Sequence, residues 1–331
     1  MRRCNTRSHS ELGSQALLRR WYFVLRHGRV GRCQAKQIQM KNIIVVTGGA
    51  GFVGSNLIEF FLNKTNLKII SIDNYSSGSK NNHILNSRVK YINDNTVNIS
   101  KILFSYKKKI HSVFHFGEFA RIYQSFLKLG QCLDSNSIGT NSVFKFCLEN
   151  KIKLIYSATS ASLGNRGFDK NLSPYAFTKS KNLELLENLK KWFNFKFEVI
   201  YFYNVYGPRQ ICKGDMATVI GIFENFYKKK LPLPVVKPGT QSRRFTHIKD
   251  TIEICYFAWK KNLCKHYAVT HKKALTILEV AKLFKSKVKF LPSRRGERYA
   301  SALTKISIKN KVETKYGKIQ LKDYIKSLMT K

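Results

Sequence analysis

Tyr175 and Lys179 stand four residues apart in Ser173-Pro174-Tyr175-Ala176-Phe177-Thr178-Lys179. Ser followed by Pro reads as an N-cap and a first-turn residue, so a helix starts here. Positions i and i+4 then project from one face, which continues through Leu186, Leu189 and Phe193 into the core. A Lys ammonium about 4 Å from a phenol, at an effective dielectric of about 20, contributes about 4 kcal/mol, or about three pKa units. The expectation is a Tyr175 phenol drawn towards neutrality and usable as a base. Upstream, an apolar run ends in Ser157-Ala158-Thr159-Ser160-Ala161. A Ser or Thr at such a strand end can hydrogen-bond both a substrate hydroxyl and the phenolate. In a chain with 16 tyrosines and 60 Lys and Arg, a lone Tyr and Lys pair arises by chance, so its context decides.

That context includes Gly48, Gly51 and Gly54, spaced G-x-x-G-x-x-G after the apolar run Ile43 to Thr47. Small residues there permit a tight turn, close approach of backbone to a pyrophosphate and close helix packing. A second apolar run ends in Asp73, about twenty residues after Gly54, where a carboxylate can hydrogen-bond a ribose hydroxyl. Asn74 follows it and no Arg is there to meet a 2′-phosphate, which favours NAD over NADP.

The elements that must position these groups read as strand, glycine turn, helix, strand: a doubly wound α/β fold of Rossmann type. Expected strands are Ile43 to Thr47, Lys68 to Asp73, Val89 to Ile92, Ser112 to Phe116, Lys153 to Ser157 and Phe197 to Tyr203. Helices are expected over Val53 to Asn63 and Asn136 to Glu149. After Gly207-Pro208 the alternation weakens into a smaller mixed α/β region, with helices expected over Thr276 to Phe284 and around Tyr324 to Met329. Domains are therefore placed at 40–203 for the dinucleotide and 204–331 for the substrate. Residues 1–39 differ in composition, with Arg2, Arg3, Arg7, Arg19, Arg20, Arg26, Arg29 and Arg32 against Glu11 alone. They read as an extension outside the fold, and the switch at Met40-Lys41-Asn42 favours a true start there over a transit peptide.

The chain resembles the NAD-dependent epimerase/dehydratase family of extended short-chain dehydrogenases/reductases, from about Met40 to its end. The motifs carrying the resemblance occur in the family's order: TGGAGFVGSNL (47–57), DNYSSG (73–78), HFGEFA (115–120), NSIGT (136–140), YSATSA (156–161), YAFTK (175–179), YNVYGPR (203–209), RRFTHIKD (243–250) and RRGE (294–297). Within the family the chain is most similar to the UDP-glucose 4-epimerases. The resemblance implies NAD contacts at Gly48, Gly51, Phe52, Val53, Gly54, Asp73, Asn74, Asp94, Asn95, Phe116, Ser157, Tyr175 and Lys179. It implies catalysis by Thr159, Tyr175 and Lys179, and nucleotide-sugar contacts at Thr159, Asn204, Arg243, Arg294 and Glu297. Arg suits the phosphates because its planar fork donates two bonds to one anion.

The implied reaction is removal of a sugar hydroxyl proton by Tyr175 as hydride passes to NAD, through a transient 4-keto intermediate, with hydride return to the opposite face. A 4,6-dehydratase is expected to carry Asp-Glu after the Thr, whereas Thr159 precedes Ser160-Ala161. The stretch Tyr203 to Val219, with Lys213-Gly214-Asp215, resembles the ADP-glycero-manno-heptose 6-epimerase branch, in which the matching lysine is a second base or positioning group. A non-catalytic NAD-binding regulator is the alternative of a different class, disfavoured by the intact Thr159, Tyr175 and Lys179. Two departures stand out. The segment between Gly164 and Tyr175 is about half the family's usual length, which leaves the sugar open. Glu118 stands where a small residue is usual, a place for a carboxylate only if it points to solvent. The helical stretches Gln124 to Leu133 and Asn136 to Glu149 are expected, on resemblance, to pair with a second copy as a homodimer.

The bulk composition bounds these readings. A chain of 331 residues that is 43% hydrophobic buries a sizeable core, and no apolar run reaches membrane-spanning length. The net charge of +41 reads as a solvated basic surface rather than a nucleic-acid face, because the lysines are dispersed and no nucleic-acid-binding motif accompanies them. Seven scattered cysteines indicate neither a disulfide framework nor a zinc site, and point to the cytoplasm. No metal is expected: His111 and His247 lack partner spacing, and His115 is read as structural. Trp192, Phe193, Phe195 and Phe197 are read as core.

Overall fold

Ile43–Thr47 (β1) is buried at every position, and its residues alternate between two cores. Val45 packs with Ile70, Ile72 and Val113 on one face of a sheet, while Ile44 and Val46 pack with Leu57, Phe61 and Phe114 on the other. Only a strand covered on both sides needs such a continuous apolar run. In the computed structural model, which describes residues 41–163, 171–296 and 312–330, β1 is followed by α1 (Phe52–Lys64), β2 (Lys68–Asp73), β3 (Val89–Asn93) and β4 (Ile110–His115). The chain continues through α2 (Ile122–Leu127), α3 (Leu129–Leu133), α4 (Thr140–Glu149), β5 (Lys153–Thr159), α5 (Pro174–Phe193) and β6 (Phe197–Phe202). Then come α6 (Val219–Lys228), α7 (Ile248–Lys261), β7 (His266–Thr270), α8 (Ile277–Leu283), β8 (Val312–Tyr316) and α9 (Leu321–Met329).

The main sheet has the order β8-β7-β6-β5-β4-β1-β2-β3, and every neighbouring pair is parallel. This is the doubly wound α/β fold expected. The order reverses between β1 and β4, and ligands of such sheets bind at the carboxyl ends of the strands there.

The boundary expected at 203/204 does not divide the sheet. β7 and β8 come from beyond it and extend the sheet from β6, and α7 packs beside α1. The remainder does build a second core, in which Phe223, Leu233, Val235, Val280, Phe284 and Ile325 pack together. There Leu233–Val236 pairs in parallel with Val288–Leu291.

The aromatic reading of 192–197 holds only in part. Phe195 and Phe197 are buried, but Trp192 and Phe193 are 63% and 60% exposed. The last turn of α5 carries them clear of the core before Asn194, in the left-handed region at φ 52°, turns the chain back. The helix expected from Asn136 begins at Thr140, after a π-helical turn over Asp134–Gly139. Residues 1–39, Glu297 and most of the short segment after Gly164 lie outside the described residues. Among the described residues no helix is long and apolar enough to cross a membrane.

Candidate active site

One cleft of about 1440 Å³ opens at the carboxyl ends of the strands. Gly48, Gly51, Phe52, Val53 and Gly54 form its floor. Gly48 has φ +70°, and a Cβ on it would lie 2.8 Å from the backbone of Gly117, so no other residue fits this turn without strain. At Gly54 a Cβ would strike the Gly48 carbonyl. Gly51 caps α1 without a side chain, and no acidic residue sits in the first turn. The helix therefore presents backbone amides and the positive end of its dipole without a built-in anion.

Asp73 ends β2 beside this turn. Its Oδ2 accepts from the Ala50 amide at 2.9 Å and its Oδ1 from the Tyr75 amide at 2.8 Å. Burial raises its pKa, and the amide donors pull the other way. Asn74 donates to Asn95 at 2.7 Å, and Asp94 accepts from the Asn95 amide and the Asn98 side chain, both at 2.7 Å. Asp73, Asn74, Asp94 and Asn95 line the same cleft with Phe116, whose ring meets Phe202 edge to face at 5.6 Å. An open turn, unprotected helix amides and a carboxylate at the next strand end fit a dinucleotide.

Across the cleft, the Ser173 hydroxyl accepts from the Ala176 amide at 3.1 Å, and Pro174 fills the first turn of α5. The expected helix start is thus the observed one. Tyr175, Thr159, Ser157 and Lys179 are all buried and all line the cleft. Thr159 lowers the pKa of the Tyr175 phenol, and the Ser157 hydroxyl donates to the His115 carbonyl at 2.9 Å.

Lys179 departs from expectation. Its ammonium donates to the Ser157 carbonyl at 2.6 Å and forms an ion pair with Glu118, so its charge is matched by a carboxylate rather than spent on the phenol. Burial, chiefly, holds Tyr175 up at about 12, Thr159 opposing and Glu118 reinforcing the shift. The phenol is therefore not drawn towards neutrality in this arrangement. Glu118, whose carboxylate had a place in the sequence only if it faced solvent, is 2% exposed in its side chain.

Asn204, Arg243, Arg294 and Lys213, expected to meet the nucleotide sugar or to act as a second base, also line the cleft. Asn204 has φ 35° and its amide donates to the Arg244 carbonyl at 3.0 Å. Arg294 lies 5.3 Å over the Tyr123 ring. Sequence reasoning missed Arg121, a half-buried guanidinium whose Nε donates to the Met216 carbonyl at 2.9 Å. It also missed Lys128, which pairs with Asp215 at 2.9 Å. Nothing local separates either from the rest of the 60 Lys and Arg residues.

The model of the NAD dependent epimerase/dehydratase family matches residues 44–269, and the chain belongs to that family. Its cofactor is NAD. The ADP-L-glycero-D-manno-heptose-6-epimerase of Brachyspira hyodysenteriae is 28% identical over 260 residues, 73% of this chain and 80% of that one. A putative UDP-glucose 4-epimerase of Methanocaldococcus jannaschii is 29% identical over 238 residues, 67% of this chain and 75% of that one. Among solved structures, a UDP-N-acetylglucosamine 4-epimerase of Methanobrevibacter ruminantium superimposes with a TM-score of 0.75 at 25% identity, covering 88% of this chain and 98% of the other. The UDP-glucose 4-epimerase of Thermotoga maritima has the same fold, with a TM-score of 0.72 at 23% identity over 81% of this chain and 96% of its own.

Proposed function

We infer that the chain is an NAD-dependent epimerase of nucleotide sugars, acting at C4 of a UDP-hexose such as UDP-glucose or UDP-galactose. The observation that carries this reading is that Thr159, Tyr175 and Lys179 are buried together in the cleft shared with the glycine turn. NAD, when bound, supplies a reversible hydride acceptor. Gly48 and the amides opening α1 hold its pyrophosphate, and Asp73 with Asn74 holds its ribose. Asp94, Asn95 and Phe116 border the adenine side.

Thr159 positions the sugar hydroxyl against the Tyr175 phenol, which takes the proton in one half-reaction and returns it in the other. Lys179 and Ser157 hold that side of the cleft in register. Asn204 binds the diphosphate or sugar, and Arg243 and Arg294 take the two phosphates. Ser160-Ala161 after Thr159 offers no acid and base for a 4,6-elimination, which separates this reading from the dehydratases. The same residues oppose a purely binding role.

A second reading has one observation of its own. Lys213 lines the cleft, where a lysine could serve a 6-epimerase acting on an ADP-heptose, the activity named for the Brachyspira relative. Incubating the purified protein with UDP-glucose, UDP-N-acetylglucosamine, UDP-glucuronate and ADP-heptose, and following ring protons by NMR, tests both. Inversion at C4 of a UDP-hexose supports the first reading, inversion of the heptose the second, and conversion of none would falsify an epimerase assignment.

A further inference from the structure

Glu118 follows β4 and turns inward. Its Oε2 pairs with the Lys179 ammonium. Its Oε1 accepts from the Tyr156 phenol and the Thr140 hydroxyl, both at 3.0 Å, and more distantly from Asn182 at 3.4 Å. Four donors thus converge on this one buried carboxylate.

The hydrogen bonds behind it fix its role further. The Thr47 hydroxyl accepts from the amides of Phe116 and Gly117 at 3.2 and 3.1 Å. Its own proton is thereby left for His115 Nδ1, 2.7 Å away. An accepting Nδ1 means that Nε2 carries the ring proton and donates to Thr140 Oγ1 at 2.9 Å. The Thr140 proton then goes to Glu118. The chain of donors runs one way, from the amides beside the glycine turn to the carboxylate beside Lys179.

The groups facing the Tyr175 phenol come from each neighbouring element. Lys179 stands four residues further along the same helix, and Thr159 and Tyr156 lie on β5. Glu118 follows β4, Arg121 precedes α2 and Cys132 lies on α3. Of these, Glu118 is the acidic group matched to Lys179.

We propose that Glu118 is a positioning residue that sets the ionisation of Tyr175 by holding the Lys179 ammonium in a buried ion pair. This rests on the reading of Tyr175 as the base. While the pair is closed, the phenol keeps its proton into the alkaline range and turnover rises with pH. With the carboxylate removed, the Lys179 charge bears on the phenol uncompensated, and the phenol releases its proton at lower pH.

The test uses the NAD-loaded protein without sugar. Phenolate absorbance near the red edge of the tyrosine band is titrated, and the difference between each protein and its Tyr175→Phe counterpart isolates this one phenol. For Glu118→Gln the Tyr175 midpoint is expected at least about one pH unit below that of the unaltered protein, a tenfold loss of proton affinity, and the alkaline limb of kcat should move with it. Glu118→Ala, which places the small side chain expected from the family resemblance, gives the same shift should the buried amide fold poorly. Glu118→Asp, which keeps the charge, restores most of the original midpoint. A midpoint unmoved or raised in both neutral variants overturns the proposal. Turnover that survives Tyr175→Phe would instead remove the base assignment, while the titration still reports on Glu118.

Discussion

The Asp73 carboxylate and the Ala50 amide are joined by a 2.9 Å hydrogen bond that ties the end of β2 to the glycine turn. With the second bond to Tyr75, one buried side chain shapes the turn and still faces the cleft. Asp73→Ala leaves both amides without this acceptor and is expected to destabilise the protein by about 2 kcal/mol. It should also weaken NAD binding by about 10- to 100-fold, an effect measurable by calorimetric titration beside urea unfolding. Lost stability with unchanged NAD affinity would confine Asp73 to the turn.

His115 makes a prediction about acid. Burial draws its pKa from 6.5 down to about 4, so it is neutral in the fold, whereas the unfolded chain protonates it near 6.5. Its contribution is complete above pH 6.5 and is lost as pH falls through about 4, amounting to about 3 kcal/mol. Urea unfolding measured from pH 7 to 4 should show this decline. His115→Gln should flatten that part of the slope, and an equal slope in the variant excludes His115 as its source.

Much of this was written in the sequence because it depends on near neighbours. β1, β2 and β4 to β6 are largely apolar runs of strand length, the Gly48 turn lies directly after one of them, and Ser173-Pro174 starts α5 by its own capping chemistry. What depends on distant partners was not legible. His266–Thr270 is too mixed to declare itself, and becomes β7 by pairing with β6 and β8. Helical spacing brings Tyr175 and Lys179 to one face but says nothing of Glu118, which a loop some sixty residues earlier delivers to the lysine. Trp192 and Phe193 looked like core because their exposure depends on how far α5 outruns the sheet.

Tyr175→Phe keeps the ring's packing and removes the proton carrier. Turnover should fall by about 10²- to 10⁴-fold with NAD affinity unchanged, as read by single-turnover kinetics and cofactor titration. Thr159→Val should lower kcat less and raise the phenol's midpoint, because Thr159 acts to lower that pKa. A lowered midpoint in Thr159→Val contradicts the geometry.

Leu127, Leu129, Leu133 and Ile138 stand exposed on neighbouring turns between α2 and α4. Clustered apolar side chains of this kind are favourable to bury against another surface, and a second copy offers the same stripe by two-fold symmetry. The protein is expected to run as a dimer in light scattering, and Leu129→Glu combined with Ile138→Glu as a monomer. A dimer unaffected by both charges places the contact elsewhere.

Arg294 lies over the Tyr123 ring, which holds a planar guanidinium in a fixed orientation at the substrate side of the cleft. If it grips a phosphate, its loss should affect binding more than chemistry, because the charge it meets is the same in the ground and transition states. Arg294→Ala is expected to raise KM by about 10- to 100-fold, the cost of a charge-assisted hydrogen bond, with a smaller change in kcat. Arg294→Lys keeps the charge but not the fork or the stacking, so it should recover only part of the loss. Steady-state kinetics with a UDP-hexose against its free sugar separates the two: the variant's defect should vanish for the substrate without phosphates. A defect of equal size on both substrates would assign Arg294 to the shape of the cleft rather than to the diphosphate.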